Sequence, residues 1–194
     1  ERFIHLTFPG TLQPGEEVKV SISYLGKPRP AVQAPWDGGF VWAETPSGDP
    51  WIGVACQGDG AWLWWPNKDH PSDEPDNGGM IHYTVPAGLT AVSNGVLRET
   101  QTDGDRTRWS WEVLNPINSY SITLNAAPYI ELQDSVQSVD GSTIPLHFWV
   151  LPEFEEKGRE RFPQFKEQLV WFEELLGPYP FRNEKYGVVH APFL

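Results

Sequence analysis

The stretch from Trp51 to Gly79 constrains this chain most. A short apolar strand, Trp51-Ile-Gly-Val-Ala-Cys56, ends at Gln57. A Gly58-Asp-Gly60 turn follows, and then Ala61-Trp-Leu-Trp-Trp65 closes on Pro66. The 13 residues from 67 to 79 hold four carboxylates, one histidine, two prolines and two glycines. Large aromatics beside a polar residue at a strand end suit the ligand-facing wall of a β-domain. They also suit a packed β-core beside a solvated loop, the more usual place for an aromatic cluster.

The same rhythm of short strands and turns extends in both directions. Residues 3–8 read as a strand, and Pro14-Gly15 as a turn. In 17–24, Val18, Val20, Ile22 and Tyr24 alternate with Lys19, Ser21 and Ser23, the pattern of a half-buried strand. Lys27-Pro-Arg-Pro30 cannot sit in a central ladder, because proline donates no N–H. Phe40 to Ala43 and Trp51 to Cys56 are strands separated by Pro46-Ser-Gly48. Ile81, Tyr83 and Val85 share one face, with His82 on the other. Asn94-Gly95 signals a turn. Residues 96–102 and 106–113 form a hairpin about Asp103-Gly-Asp105, with Trp109, Trp111 and Val113 on one face. Ser119 to Asn125 resumes the pattern after Asn115-Pro116, and Leu146, Phe148 and Val150 line a further strand. The spacing predicts an antiparallel, mainly β unit over residues 1–150.

Beyond residue 150 the periodicity changes. Pro152 to Arg161 is highly charged and reads as a linker or the approach to a helix. Phe165, Leu169, Phe172 and Leu176 then fall at spacings of four, three and four, on one predicted helical face. Pro163 suits a first turn, and Gly177-Pro178 ends the helix. Tyr186 to His190 reads as a strand. One helix and one strand cannot bury their apolar faces alone. They must dock on the β-unit or belong to a domain outside this chain, whose opening at Glu1 inside a strand-like run suggests an excised piece.

Charge and residue spacing exclude several kinds of chemistry. A net charge of −12 opposes binding to nucleic acid or to an anionic membrane. No apolar run approaches the ~20 residues of a membrane span. Cys56 is the only cysteine, so no intrachain disulfide or cysteine-based zinc cluster is possible. Without a neighbouring cation or histidine it reads as an inert thiol. No two of His5, His70, His82, His147 and His190 lie within five residues, which leaves no H-E-x-x-H zinc helix. Asp69, His70, Asp73, Glu74 and Asp76 make a ligand-dense loop, but not with calcium-loop spacing. A G-x-S-x-G elbow is absent. Glu155-Glu156 and Glu173-Glu174 read as surface charge.

Three segments together resemble the zinc aminopeptidase family that includes aminopeptidase N and leukotriene hydrolase. They are the strand ending Ala55-Cys56-Gln57 with its aromatic sequel to Pro66, the run from Tyr83 to Ser93-Asn-Gly95, and Leu176-Gly-Pro-Tyr-Pro-Phe181 with the strand after it. The resemblance implies an antiparallel β-sandwich or saddle-like N-terminal domain over 1–150. Residues 151–194 would be the linker, helix and strand that open a thermolysin-like catalytic domain. It implies a peptide N-terminus as substrate and zinc as the cofactor of the intact parent, with the zinc ligands outside this chain and no hydrolysis by this piece alone. It also implies one substrate-binding residue, Gln57, whose amide oxygen would accept from the substrate's free α-ammonium. Two alternatives remain open. One is a stand-alone binding module stacking sugars on Trp62, Trp64 and Trp65, and the other is a family member kept as a non-catalytic scaffold.

Overall fold

A computed structural model describes residues 3–56 and 61–193. In chain order its strands are β1 (Gly39–Glu44), β2 (Pro50–Ala55), β3 (Gly79–Pro86), β4 (Thr90–Val92), β5 (Val96–Asp103), β6 (Arg106–Val113), β7 (Asn125–Ala127), β8 (Ile130–Gln137), β9 (Thr143–Val150) and β10 (Tyr186–Val189). The helix α1 (Glu155–Leu176) lies between β9 and β10. The chain is mainly β, and among the described residues its strand pairings are antiparallel except that β10 runs parallel to β9; Pro30 also makes an isolated parallel bridge to Phe40.

The strands form three sheets, in the orders β1-β2-β7-β4, β3-β6-β5 and β10-β9-β8. The β5–β6 hairpin forms around its Gly-Asp tip, with Asp103 opposite Arg106. Alternation then decides which side chains go inward: Tyr83 and Val85 of β3 and Trp111 and Val113 of β6 are buried, while His82 is exposed. Phe40 of β1, Val54 of β2, Ala91 of β4 and Ala126 of β7 meet them from the four-stranded sheet. A buried indole needs an acceptor for its N–H. Trp111 Nε1 donates to the Ala91 carbonyl at 2.9 Å and Trp109 Nε1 to that of Leu89 at 3.2 Å, so the two sheets are hydrogen-bonded as well as packed.

The third sheet takes α1 on one face. Val136, Ile144 and Leu146 pack against Leu169, and Leu132, Phe148 and Val150 against Phe162 and Phe165. The helix and β10 therefore dock on β8 and β9. Among the described residues no helix is long and apolar enough to cross a membrane.

Several expectations are corrected. Residues 3–8 and 17–24 pair with no strand among the described residues, and every residue from 3 to 27 is exposed. Alternation gives such a segment a face but supplies no ladder partner, and a lone strand is not stable in water. Ser119 to Asn125 is a single helical turn, Ser119–Ser121, ahead of β7. The strand β8 gave no recognised signal, because its inward residues Leu132 and Val136 are four apart with polar residues between. The helix starts at Glu155, so Pro163 lies in its interior and not in its first turn. Arg159 donates through Nε and Nη2 to Glu155 Oε1 one turn earlier, and Gly158 lies so close to Val150 that a Cβ would sit 3.1 Å from Cγ2. These contacts, with Phe162 against Phe148, hold the helical turns just ahead of the N–H that proline lacks.

The helical face is also rotated from the expected one. Leu169 is buried as predicted, but Phe172 is half exposed and Leu176 is 81% exposed. The position facing the sheet one turn after Leu169 is Glu173, only 3% exposed and so not the surface charge expected. It accepts from Ser138 Oγ at 2.8 Å, Tyr179 N at 2.6 Å and Val139 N at 3.1 Å.

Candidate functional site

Gln57, the substrate-binding residue implied by the resemblance, lies outside the described residues. The strand leading to it is β2, followed by Cys56, whose half-buried thiol is pushed above its ordinary pKa by burial. In the aromatic sequel the Trp64 ring stacks on Tyr83 with centroids 6.4 Å apart, and its edge relations to Phe40 and Trp65 are at 5.9 and 6.3 Å. Trp62, Trp64 and Trp65 are each half-buried. The exposed tryptophans are Trp36, Trp42 and Trp171, in three separate parts of the chain. The half-buried trio does not form an exposed flat platform.

After β10 the chain lies across β2. Tyr129 Oη donates to the His190 carbonyl at 2.6 Å and accepts from Trp51 Nε1 at 3.1 Å. Pro192 rests on Gly53, where a Cβ would come within 2.8 Å of the proline ring. Glycine is the residue that permits that crossing. Burial carries the Tyr129 phenol well above its ordinary pKa, so it remains a proton donor through the neutral range. The imidazole of His190 meets the edges of Phe148 and Phe154, and burial lowers its pKa, with Lys157 adding to the shift.

A second junction joins β10 to the segment after β4. Lys185 Nζ donates to the Ser93 carbonyl at 2.9 Å and to the Gly95 carbonyl, and it lies over the ring of Trp111. Burial pushes this ammonium down to about 8, against the upward pull of Glu184 and Glu131. Beside it, Glu184 Oε1 accepts from the Leu114 and Asn115 amides and from Asn115 Nδ2. The three segments that carry the resemblance are thus brought together. The segment from Leu176 to Phe193 touches the first through Trp51 and Gly53, and the second through Lys185. Tyr129, Glu184 and Lys185 had no signal in the sequence, because each acts on a partner between 61 and 92 residues away.

The acidic loop stays at the surface, with Lys68 paired to Asp73 at 2.8 Å and His70 Nδ1 beside Ser72. His147 meets Glu131 at 2.6 Å, a contact that holds the Glu131 carboxyl below its usual range. Among the described residues no three His, Cys, Asp or Glu side chains are grouped so as to hold a metal ion. The described residues therefore do not fit a zinc site.

The sequence matches no protein-family model and no curated protein. Solved structures do resemble it. A mutant of a two-domain M1 zinc metallopeptidase with L-arginine bound superposes with a TM-score of 0.64 at 21% identity, over 87% of this chain and 37% of that one. A mutant M1 zinc metallopeptidase from Deinococcus radiodurans, bound to a Tyr-Ser-Ala substrate, gives 0.58 at 20% identity, over 79% and 34%. Legionella pneumophila aminopeptidase A in complex with aspartic acid gives 0.58 at 22% identity, over 81% and 18%. The chain shares the fold of the matched part of these structures and spans only 37%, 34% and 18% of their lengths.

Proposed function

We propose that this chain is the substrate-side part of a zinc-dependent aminopeptidase, a metallopeptidase that removes residues from the N-termini of peptides. Residues 1–150 are the β-rich domain, and 151–194 are the linker, helix and strand that lead into a catalytic domain carrying the zinc. The observation behind this reading is the meeting of the three resembling segments in a fold shared with M1 zinc metallopeptidases. Sequence likeness and spatial contact point to the same residues, although the overall identity is only 21%.

On this reading Gln57, two residues beyond β2, accepts a hydrogen bond from the substrate's α-ammonium. An amide oxygen accepts from an ammonium at every pH, and a buried site built around that group rejects chains that lack it. The chain alone lacks the zinc and turns nothing over.

The test uses the longer protein whose gene encodes this chain. Hydrolysis of aminoacyl p-nitroanilides is expected, with loss in chelator, recovery with zinc, and refusal of N-acetylated substrates. A hydrogen bond to a charged group contributes about 1.5–3 kcal/mol, so Gln57→Ala should lower kcat/KM by roughly 10- to 100-fold. No turnover of any free-amino substrate by the zinc-loaded protein overturns the reading. Unchanged kinetics in Gln57→Ala overturns the role of Gln57 alone.

A further inference from the structure

The sheet β10-β9-β8 has two edges, and they differ. At one edge β8 carries Glu131 and Asp134 among its polar residues, and charge of that kind keeps an open edge from pairing. At the other edge β10 is Tyr186-Gly-Val-Val189, with no charge and no proline. Alternate residues of a parallel strand turn their N–H and C=O to the same neighbour. The His190 N–H donates to the Trp149 carbonyl at 2.9 Å, so Val188 faces β9 as well, and Gly187 and Val189 face the open side. Among the described residues nothing pairs with the main-chain groups of those two.

In its faces β10 has the surroundings of an inner strand. Val188 packs with Phe148 and Val150 under α1, and Val189 packs on the opposite face against the core of the other two sheets. A parallel strand covered on both faces belongs inside a sheet. The flank of α1 on that side is bare as well. Lys166 reaches Asp134 of β8 at 3.0 Å, which fixes one flank of the helix. Phe165, which meets Phe148 at 5.3 Å, lies on the other, and Gln168, Phe172 and Leu175 follow it at spacings of three, four and three. Phe172 is 50% exposed and Leu175 62%. Apolar side chains grouped beside an open strand edge mark a docking surface.

We propose that one further β-strand of the longer protein pairs with Gly187 and Val189 and runs under Gln168, Phe172 and Leu175. Its source is the part to which the aminopeptidase reading gives the zinc, and in that respect alone the inference rests on that reading. Free main-chain groups require an extended segment as partner. Opposite Phe172 and Leu175 that segment needs apolar side chains. Opposite Gln168, and Arg161 one turn before Phe165, it needs polar ones. The solved structures matched over 37% and 34% of their own lengths have ample further chain for such a strand. A second copy is a poorer occupant. Two outward residues on β10 are too small an edge to hold together two chains that each carry a net charge of −12.

The experiment is amide hydrogen exchange, resolved by residue, on the longer protein. Gly187 and Val189 should exchange as slowly as Val188 and His190, whose N–H groups are bonded to β9. In the 194-residue chain alone they should exchange roughly 100-fold faster or more. Thiol labelling reads the helix flank, with the unsubstituted protein as the blank for Cys56. In the longer protein Leu175→Cys should react about tenfold or more slowly than Glu160→Cys, an exposed position on the same helix. Fast exchange of Gly187 and Val189 in the longer protein, or equal labelling of the two cysteines, overturns the proposal. So does protection that appears in the 194-residue chain alone and grows with its concentration, since a second copy is then the occupant. Neither readout involves turnover. Fast exchange in an active aminopeptidase therefore overturns this inference alone, and slow exchange in an inactive protein overturns the aminopeptidase reading alone.

Discussion

The Lys185 ammonium lies 4.4 Å from the centroid of the Trp111 ring. That contact joins β6 to the residue just before β10, 74 positions later, and it buries a cation that burial pushes down to about 8 from an ordinary 10.5. Because the folded pKa lies below the unfolded one, the folded state binds fewer protons between the two values. Stability from this group is therefore present above about 10.5 and is lost as pH falls towards about 8. Lys185→Met removes the titration but also the two bonds to carbonyls. Thermal melts from pH 7 to 10 should show wild type gaining on Lys185→Met as pH rises. A constant gap across that range contradicts the assignment. Comparison with the variant is essential, because the Tyr83 phenol, pushed up to about 12, opposes the trend at the alkaline end for both proteins.

Glu173 binds the end of α1 to the β8–β9 turn and to Tyr179. Glu173→Ala leaves the Ser138 hydroxyl and two backbone amides without their acceptor. Unpaired buried groups cost about 1–3 kcal/mol each, so a loss of roughly 3–5 kcal/mol is expected after partial relaxation. Glu173→Gln, which keeps one oxygen, should lose less. Urea denaturation measures both, and a cost below about 0.5 kcal/mol would place Glu173 at the surface after all.

The register of α1 is tested by two leucines. Leu169→Ala, in the core, should cost about 2–5 kcal/mol. Leu176→Gln should stay within about 0.5 kcal/mol, because that side chain is 81% exposed. Equal costs would restore the helical face expected from spacing alone.

Gly53→Ala probes the crossing of β2 by Pro192. The added methyl would lie 2.8 Å from the proline ring and 3.0 Å from Phe193. One of the two segments must shift, at about 1–3 kcal/mol. Amide exchange should quicken in β10 and leave the β5–β6 hairpin unchanged. Uniform quickening would instead mark a general loss of stability.

The helix shows how far pattern reaches and where it stops. The residues of Phe165 to Leu176 suffice to predict a helix, since a 3.6-residue period is a property of the segment itself. Which side of it is buried depends on the sheet it meets, and Glu173 displaces Phe172 from the interior because Ser138, Val139 and Tyr179 converge on its carboxylate. Conversely, residues 17–24 have the alternation of a strand, yet among the described residues no partner completes a ladder.

By itself the sequence determined the local elements: strands within 40–43, 51–55, 81–85, 96–102 and 106–113, the Gly-Asp turn, the helix beyond Pro163, and the polar and apolar faces of β3 and β6. Each rests on residues two to four apart, where backbone geometry couples side chains directly. Only the tertiary structure decided that Lys185 reaches Ser93 and Gly95 and that Tyr129 reaches His190. Those contacts join positions from 61 to 92 residues apart. Their geometry exists only after the sheets have packed, so no local period encodes it.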